Sequence, residues 1–515
     1  MSIGTVYSAA LQGLDAQVIR VEADMTSGLP MFHMVGYLSS EVKEAGERVR
    51  TAIRNAGMEI PVKKTVINLS PGNVRKRGAS FDLPIALAIL ASQGVIQEEY
   101  LEGMLAVGEL GLDGSIREVK GILPIVCEAK RMGFQGCIVP AGNRKEAVLV
   151  EGIRSVGAKD LGELVRIVGK EGRQIRSEKK EKQKEILELK PEFEMDFQEV
   201  RGQETVIRAA ETAVAGGHNF LMIGPPGSGK SMIARRIPTI LPPLTREEAL
   251  ELTKIYSIYG MLEKETPLIC RRPFREVHHT VSKAALIGGG VLPLPGEISL
   301  AHKGVLFLDE LAEFQRPVLE VLRQPLEEKQ IRIIRKQGVY DFPADFMLTA
   351  AMNPCPCGYY PDMRKCSCTS GSIRQYLGRV SQPFLSRIDI CTDTPPVDYR
   401  SLRERGGGEP SRIIRDRVRE ARERQLQRYK EESFCTNAAV PAKKIAKYCC
   451  LGSEEEEMMK NAFDRMNLTA RTYHKVLKVA RTIADLGGEE RIQKKHLAEA
   501  LGYRLPDTKY WGNLT

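Results

Sequence analysis

A glycine-rich segment at residues 224–231 carries the clearest chemistry in the sequence. It reads G-x-x-x-x-G-K-S, follows an apolar strand predicted at 220–223 and opens a helix predicted at 232–237. In that setting, glycines let backbone N–H groups surround phosphates at a helix N-terminus, where the helix dipole favours negative charge. The lysine would reach the β- and γ-phosphates of ATP, and the serine hydroxyl would hold Mg²⁺. The predicted ATP-binding residues are Gly224, Pro225, Pro226, Gly227, Ser228, Gly229, Lys230 and Ser231.

Two adjacent carboxylates follow a second apolar strand, predicted at 305–308. A buried strand that ends in Asp309 and Glu310 delivers both groups to one edge of a sheet. We expect Asp309 to coordinate Mg²⁺ together with Ser231, and Glu310 to activate the water that attacks the γ-phosphate.

A third strand, predicted at 346–351, leads to Asn353. An amide at this strand end could orient the attacking water. The alternative is a turn asparagine that merely precedes Pro354. The convergence of three strand ends favours the catalytic interpretation.

Four cysteines lie within 14 residues of one another, in two C-x-C pairs. Four thiolates at close spacing are typical of a tetrahedral structural Zn²⁺ site. The C-x-C spacing is tighter than the usual C-x₂-C, so redox-active thiol pairs or buried cysteines remain alternatives. The predicted ligands are Cys355, Cys357, Cys366 and Cys368.

The elements that position these residues fall into four segments. Residues 1–169 mix predicted strands (65–69, 105–110, 137–140) with predicted helices (41–55, 82–92, 121–131), which indicates an α+β domain. Residues 170–192 alternate acids and bases and read as a charged linker; the alternative is a nucleic-acid-binding tail.

The other two segments hold the candidate site and the C-terminal part of the chain. Residues 193–395 alternate helices with short apolar strands, which predicts a parallel sheet with helices on both faces. Residues 396–515 include a glycine hinge at 406–408 and otherwise read as helical. Ile414, Val418, Ala421 and Gln425 recur at helical spacing and predict one buried helix face.

Bulk composition sets wider limits. A chain of 515 residues with 42% hydrophobic and 28% charged residues predicts several globular domains. The longest apolar run, 83–91, is interrupted by Pro84 and is too short to span a bilayer. Eleven cysteines, an odd number, and an N-terminus without a signal-like pattern predict a cytoplasmic protein with reduced thiols. The net charge of +10 permits a nucleic-acid partner without requiring one.

Longer motifs surround the candidate site. They comprise H-H-T-V-S at 278–282, A-L-I-G-G-G at 285–290, P-G-E-I-S-L-A-H at 295–302, L-R-Q-P-L-E at 322–327 and N-P-C-P-C-G at 353–358. With these motifs the chain resembles the Mg-chelatase-type AAA+ ATPases, and most closely the ComM (YifB) family, from end to end. The resemblance implies a P-loop AAA+ core with a helical lid.

The resemblance also implies two insertions that project into a central pore and contact nucleic acid. One lies at 282–301, where glycines 288–290 suggest a flexible pore loop. The other is a β-hairpin at about 331–342 with its tip near Lys336, Gln337 and Gly338.

Two arginines take roles from the same resemblance. Arg387, in L-S-R-I-D, matches the arginine finger that stabilises charge on the γ-phosphate of a neighbouring subunit, and Arg471 matches the second arginine sensor. The alternative for each is an ordinary surface contact. Both assignments imply a homo-oligomeric ring, with a hexamer as the expected form.

The N-terminal segment resembles the proteolytic domain of Lon. Residues 78–82 and 105–140 carry this resemblance, which places Ser80 at the position of the nucleophile. The matching lysine position holds Leu123, Asp82 replaces a small glycine, and Lys120 lies three positions before Leu123. Because a serine–lysine dyad needs its lysine as base, we expect a Lon-like fold without peptidase activity, used for docking or assembly.

With the candidate catalytic residues, the resemblance implies an ATP-driven DNA-remodelling motor, similar to the branch-migration helicase of natural transformation and recombination. One alternative is a metal-insertion motor of the Mg-chelatase type, against which the Lon-like segment and the cysteine insert argue. A second is an ATP-dependent protease, against which Leu123 argues. A third is a DNA-binding scaffold without hydrolysis, which the complete set of candidate catalytic residues disfavours.

Overall fold

The computed structural model describes residues 3–170, 193–263, 265–290, 293–335, 338–397 and 407–512. Residues 171–192 of the predicted linker, the predicted hairpin tip at Lys336 and Gln337, and Gly406 of the predicted hinge lie outside the described residues.

The N-terminal domain is built on a mixed sheet of seven strands in the order β3-β4-β2-β1-β5-β8-β9. Strand β2 runs antiparallel to both of its neighbours, and the other pairs are parallel. A small antiparallel pair, β6–β7, lies outside this sheet. The strands are β1 (Gly4–Gln12), β2 (Asp15–Thr26), β3 (Met31–Val35), β4 (Lys64–Ser70), β5 (Met104–Ala106), β6 (Glu109–Leu110), β7 (Ile116–Arg117), β8 (Gly136–Pro140) and β9 (Arg154–Ala158). The helices are α1 (Ser40–Lys43), α2 (Ala45–Asn55), α3 (Asp82–Ser92), α4 (Ile122–Arg131), α5 (Arg144–Ala147) and α6 (Leu161–Lys170).

Helix α3 explains the longest apolar run of the sequence. Every residue of this helix is buried, because it lies between the sheet strands β1 and β2 and helix α2. Its backbone approaches β1 so closely that a Cβ atom at Gly4 would lie 2.1 Å from the carbonyl oxygen of Ala88. None of the helices in the described part of the chain combines the length and apolar character needed to cross a bilayer.

The second domain contains a five-stranded parallel sheet in the order β11-β14-β17-β10-β18. Two short antiparallel pairs, β12–β13 and β15–β16, stand apart from it. The strands are β10 (Phe220–Ile223), β11 (Phe274–Val277), β12 (Gly288–Gly289), β13 (Leu294–Pro295), β14 (Val305–Leu308), β15 (Gln330–Arg335), β16 (Gly338–Pro343), β17 (Met347–Met352) and β18 (Ile390–Asp393). The helices are α7 (Glu204–Gly216), α8 (Lys230–Ile240), α9 (Arg246–Tyr259), α10 (Lys283–Ile287), α11 (Glu297–Leu300), α12 (Arg316–Val321), α13 (Arg323–Glu328), α14 (Ser370–Leu377) and α15 (Gln382–Leu385).

Both faces of this parallel sheet are covered. Along β10, Phe220 and Met222 point into one hydrophobic core, whereas Leu221 and Ile223 point into another. Strand β14 divides its residues between the same two cores. This alternation explains why both strands read as continuous apolar runs in the sequence.

Six helices complete the described chain, and the first of them presents the predicted buried face. In α16, Ile414, Val418, Ala421 and Gln425 are buried, as their spacing predicts. The helix packs on α7 and α8, so the C-terminal helices share one core with the sheet. The helices are α16 (Ser411–Arg428), α17 (Ile445–Tyr448), α18 (Ser453–Arg465), α19 (Ala470–Leu486), α20 (Lys494–Gly502) and α21 (Leu505–Trp511).

The two domains meet through a buried carboxylate. Helix α4 of the first domain packs against α9 of the second, and Glu146 lies between them with 7% of its surface exposed. Its carboxylate accepts hydrogen bonds from the Ser257 hydroxyl and, at 2.8 Å, from the backbone N–H of Leu123. Burial raises the pKa of Glu146, and these hydrogen bonds oppose that shift.

A second contact joins the turn between β1 and β2 to strand β16. A Cβ atom at Gly13 would lie 3.4 Å from Cδ1 of Tyr340, and Leu14 packs on the core beneath β16. The first domain therefore touches the hairpin β15–β16 directly.

Replacing Glu146 by alanine should lower the free energy of unfolding by about 1–3 kcal/mol, because two buried donors lose their acceptor. Urea unfolding of the purified chain measures the change. The control is Glu151→Ala, which breaks a partly exposed pair with Arg246 and should cost at most about 1 kcal/mol. Equal effects of the two variants would contradict a special role for the buried carboxylate.

Candidate active site

The predicted phosphate loop connects the end of β10 to the start of α8. Gly229 precedes the helix with a φ of +87°, in the left-handed region that favours glycine. Gly224 approaches the backbone of the strand end at Thr394, where an added Cβ would lie 2.2 Å from the carbonyl oxygen. Glycine is therefore needed at 229 for the backbone conformation and at 224 because a side chain would clash with Thr394.

Lys230 lies beneath this loop with its ammonium group among oxygen atoms. Its Nζ donates to the carbonyl oxygens of Gly224 at 2.8 Å and Pro225 at 2.9 Å, and to Oδ1 of Asn353 at 3.3 Å. Burial lowers the pKa of Lys230 to about 8, although the charge of Asp309 opposes the shift. A phosphate anion at this position would favour the charged form of the lysine.

Ser231 and Asp309, the two residues predicted to hold Mg²⁺, are in contact. The Ser231 hydroxyl donates to Oδ2 of Asp309 at 2.7 Å. A hydroxyl oxygen beside a carboxylate is the type of ligand set that Mg²⁺ prefers, with phosphate oxygens and water completing the coordination. The residues present therefore suit the ion.

Glu310 has an unusual backbone conformation. Its φ is +52°, which is rare for a residue with a side chain and which recurs at functional sites. Its Oε2 lies 3.3 Å from Nδ1 of His279, and the His279 ring lies against that of His278 with 4.0 Å between centroids. No role was predicted for His279, since only the pairing of β11 with β14 brings it to Glu310.

Asn353 lies at the same edge of the sheet. Strand β17 ends one residue before it and runs between β10 and β14. The structure therefore brings together the predicted phosphate loop, Asp309, Glu310 and Asn353 at the carboxyl ends of three adjacent parallel strands.

The two predicted arginines lie at the opposite edge of the sheet. Asn219, which precedes β10, donates through Nδ2 to the carbonyl oxygen of Arg387 at 2.9 Å. Arg471 lies one helical turn before Lys475 on the same helix. The ammonium group of Lys475 is 2.7 Å from the carboxylate of Asp389, the residue directly before β18. Because β10 separates the two edges by about 13 Å, neither arginine lies at the phosphate loop of its own chain.

The four predicted zinc ligands converge. The Sγ atoms of Cys355 and Cys357 lie 3.3 Å apart, those of Cys357 and Cys366 3.5 Å, and those of Cys355 and Cys366 3.8 Å. All four sulfur atoms, including that of Cys368, lie within 4.8 Å of one another. Tetrahedral Zn²⁺ with Zn–S bonds of about 2.3 Å requires sulfur separations of about 3.8 Å, so the cluster suits this ion.

The loop that carries these cysteines, residues 355–368 (the cysteine loop), also touches the phosphate loop. A Cβ atom at Gly358 would lie 2.3 Å from Cδ of Pro226, and the φ of Gly358 is +85°. Glycine is therefore needed here for both space and backbone conformation.

The two predicted insertions form neighbouring hairpins. Gly288 and Gly289 pair with β13 in a short antiparallel ladder, so two of the three glycines lie in a strand. A guanidinium nitrogen of Arg335, the last residue of β15, lies 3.8 Å from the position of a Cβ at Gly289. The side chains of Ile334 and Val339 are largely exposed beside it.

The residues predicted to mark a protease-like fold have structural partners. Asp82 is buried and receives two hydrogen bonds of 2.9 Å from the Arg48 guanidinium. Ser80 lies in the turn before α3, where its carbonyl oxygen accepts from the N–H of Gly108. Asp82 thus forms an internal ion pair with Arg48.

Leu123 and Lys120 belong to the domain interface. Leu123 is fully buried and donates its N–H to Glu146, while Lys120 Nζ lies 3.3 Å from the carbonyl oxygen of Tyr259 in the second domain. Lys120 therefore contacts the second domain directly, whereas Leu123 is linked to it through Glu146, which also accepts from Ser257.

Three family descriptions match the chain. "Magnesium chelatase, subunit ChlI" matches residues 196–402, "Subunit ChlI of Mg-chelatase" matches residues 21–143, and "Magnesium chelatase, subunit ChlI C-terminal" matches residues 408–504.

Similar proteins extend over the full length. Competence protein ComM of Haemophilus influenzae and the uncharacterized protein YifB of Escherichia coli are each 40% identical, over 98% of this chain and 98% of their own. Lon protease 2 of Bacillus subtilis is 28% identical over an alignment of 251 positions that covers 42% of this chain and 44% of that protein. With the observed sheets and helices, these matches confirm the predicted fold class, an α/β P-loop AAA+ core with a Lon-like α+β domain.

Replacing Glu310 by glutamine should leave ATP binding intact and reduce turnover by about 10²- to 10⁴-fold, because the amide cannot accept a proton from water. Nucleotide binding and phosphate release, measured on the same preparation, separate the two effects. Glu313→Gln is the matched control, since that carboxylate pairs with Arg379 at 2.6 Å. Unchanged turnover in Glu310→Gln would remove the assignment.

Proposed function

The chain belongs to the ComM (YifB) family of Mg-chelatase-type AAA+ ATPases, and from that membership we propose that it is an ATP-driven motor that remodels DNA. The observation that carries the proposal is the convergence of the phosphate loop, Asp309, Glu310 and Asn353 on one sheet edge. These groups together suit hydrolysis of a nucleoside triphosphate rather than nucleotide binding alone.

Each side chain has a distinct part in the proposed reaction. Lys230 pairs with the β- and γ-phosphates, and Ser231 and Asp309 hold Mg²⁺, which neutralises phosphate charge when bound. Glu310 accepts a proton from the attacking water, and Asn353 orients that water. The contact between Lys230 and Asn353 supports this arrangement, since the amide lies beside the ammonium group that would pair with the γ-phosphate.

The arginines support a ring of identical subunits. Arg387 and Arg471 lie at the sheet edge opposite the phosphate loop, so they are available to the ATP of a neighbouring copy. A closed ring supplies every ATP with such a neighbour. A hexamer is the form that we propose.

The adjacent hairpins support DNA as the substrate. The guanidinium of Arg335 lies beside two exposed apolar side chains, Ile334 and Val339. Such a surface suits contact with the phosphates and bases of DNA. The net charge of +10 is compatible with this partner. We propose branch migration during recombination or natural transformation as the activity, with single-stranded or branched DNA in the pore.

The cysteine cluster is proposed as a structural Zn²⁺ site. Four thiolates would complete the coordination of the ion and leave no position for substrate. All eleven cysteines lie in the described part of the chain and none forms a disulfide, which suits the reducing cytoplasm that we propose as its location.

The Lon-like domain is proposed as a docking domain without peptidase activity. Lys120 contacts the second domain at Tyr259. Leu123, which occupies the position of the missing base, donates to the Glu146 carboxylate, which also accepts from Ser257 of the second domain. A metal-insertion motor is the second candidate, favoured by the chelatase family descriptions.

The first test is ATP turnover by the purified chain with and without branched DNA. Turnover should rise with DNA, and Lys230→Ala should abolish it, because the phosphates lose their cation. A rate of ATP turnover that does not change when DNA is added would contradict the proposed substrate. Insertion of a metal into porphyrin in the presence of partner subunits would then favour the chelatase-type alternative. Degradation of casein would favour the protease-type alternative.

Metal analysis should find about one zinc per chain. Cys355→Ser combined with Cys366→Ser should remove the metal, whereas Cys450→Ser, an exposed cysteine outside the cluster, should retain it. A purified wild-type protein free of zinc would contradict the assignment.

A further inference from the structure

One carboxylate oxygen joins the two predicted arginines. Oε1 of Glu327, near the end of α13, lies 2.8 Å from Nη2 of Arg387 and 2.6 Å from Nη2 of Arg471. Glu327 and Arg471 are 144 residues apart in the sequence. The structure thus places two guanidinium groups side by side around one anion.

The two arginines differ in their surroundings. Arg387 is 9% exposed, and its Nε donates to the carbonyl oxygen of Arg323 at 3.2 Å while its Nη1 donates to that of Pro383. Arg471 is about half exposed, at the first turn of α19. Arg387 is therefore fixed by its own domain, whereas Arg471 joins it from the C-terminal helices through Glu327.

The charges explain why the carboxylate is needed. Burial acts to raise the pKa of Glu327, but hydrogen bonds and charge from Arg471 and Arg387 outweigh it, so the pKa lies below its usual value. An ionised carboxylate offsets the repulsion between two adjacent cations. Each guanidinium carries five N–H donors, so contact with Glu327 leaves donors for a further anion.

The placement of the pair points to a second copy of this chain. Both arginines lie at the amino-terminal edge of the parallel sheet, and the phosphate loop lies at the carboxyl-terminal edge. A γ-phosphate bound to another subunit is an anion that two guanidinium groups can approach together.

We infer that Glu327 is a positioning residue that holds Arg387 and Arg471 as a pair for the ATP of the neighbouring subunit. This inference rests on the proposed ring and its trans arginines. Glu327 itself does not touch the nucleotide; it sets the spacing and direction of the groups that do. The ATP site of each subunit is then completed by two arginines of its neighbour, which Glu327 of that neighbour holds in place.

Replacing Glu327 by glutamine should reduce kcat by about 10- to 100-fold with little change in ATP affinity, because the arginines lose their alignment while the phosphate loop is untouched. Arg387→Ala and Arg471→Ala should each lose turnover as well. Adding Glu327→Gln to Arg471→Ala should cost little more than Arg471→Ala alone, as expected for residues that act together. The matched control is Glu328→Gln, which removes one negative charge from the neighbouring residue. The carboxylate of Glu328 accepts from Gln324, so this variant should retain wild-type turnover.

Mixed rings distinguish positioning in trans from simple stabilisation of the fold. Subunits with Glu327→Gln keep an intact phosphate loop, and subunits with Lys230→Ala keep intact arginines. Mixing the two variants should raise turnover above that of either alone, since each Glu327→Gln subunit can gain a neighbour with aligned arginines. Absence of recovery would overturn the inference, as would a thermal midpoint for Glu327→Gln well below that of Glu328→Gln.

The arginine variants separate the inference from the proposed function. Wild-type turnover in Glu327→Gln, with turnover lost in Arg387→Ala, would overturn the role of Glu327 and leave the trans arginine site in place. Full turnover in both arginine variants would instead remove the trans site itself.

Discussion

The common direction of five parallel strands is the constraint on which the chemistry of this protein depends. Because all five run the same way, the segments after β10, β14 and β17 gather the phosphate loop, Asp309 and Asn353 at one edge. The segment before β18 places Arg387 at the other edge, about 13 Å away. Phosphate-binding groups and arginines are thus kept apart within one chain, and under the proposed function they meet only between copies.

The phosphate loop is supported from several directions by segments distant in sequence. Gln203 donates to the carbonyl oxygens of Ser228 and Pro395, and the cysteine loop contacts Pro226 through Gly358. Since protein interiors are closely packed, a displacement of either neighbour is transmitted to the loop. The four-cysteine cluster therefore bears on the geometry of the nucleotide site although its sulfur atoms lie outside it.

The N-terminal domain keeps a Lon-like sheet while part of its surface packs against the second domain. The buried carboxylate of Glu146 links α4 to Ser257 of α9, and the backbone N–H of Leu123 donates to the same carboxylate. The turn at Gly13 reaches Tyr340 on the hairpin proposed to contact DNA. A domain with these contacts is joined both to the core of the motor and to the element that would meet its substrate.

The sequence alone determined the features that depend on local pattern: the phosphate loop, the strand ends at Asp309 and Asn353, the buried face of α16 and the four cysteines. Spacing and periodicity encode these directly. Only the tertiary structure decided which distant groups meet: His279 with Glu310 across two strands, and Glu327 with Arg471 across 144 residues. Such contacts depend on strand order and on the packing of separate helices, and the identity of either partner in the sequence carries no information about the other.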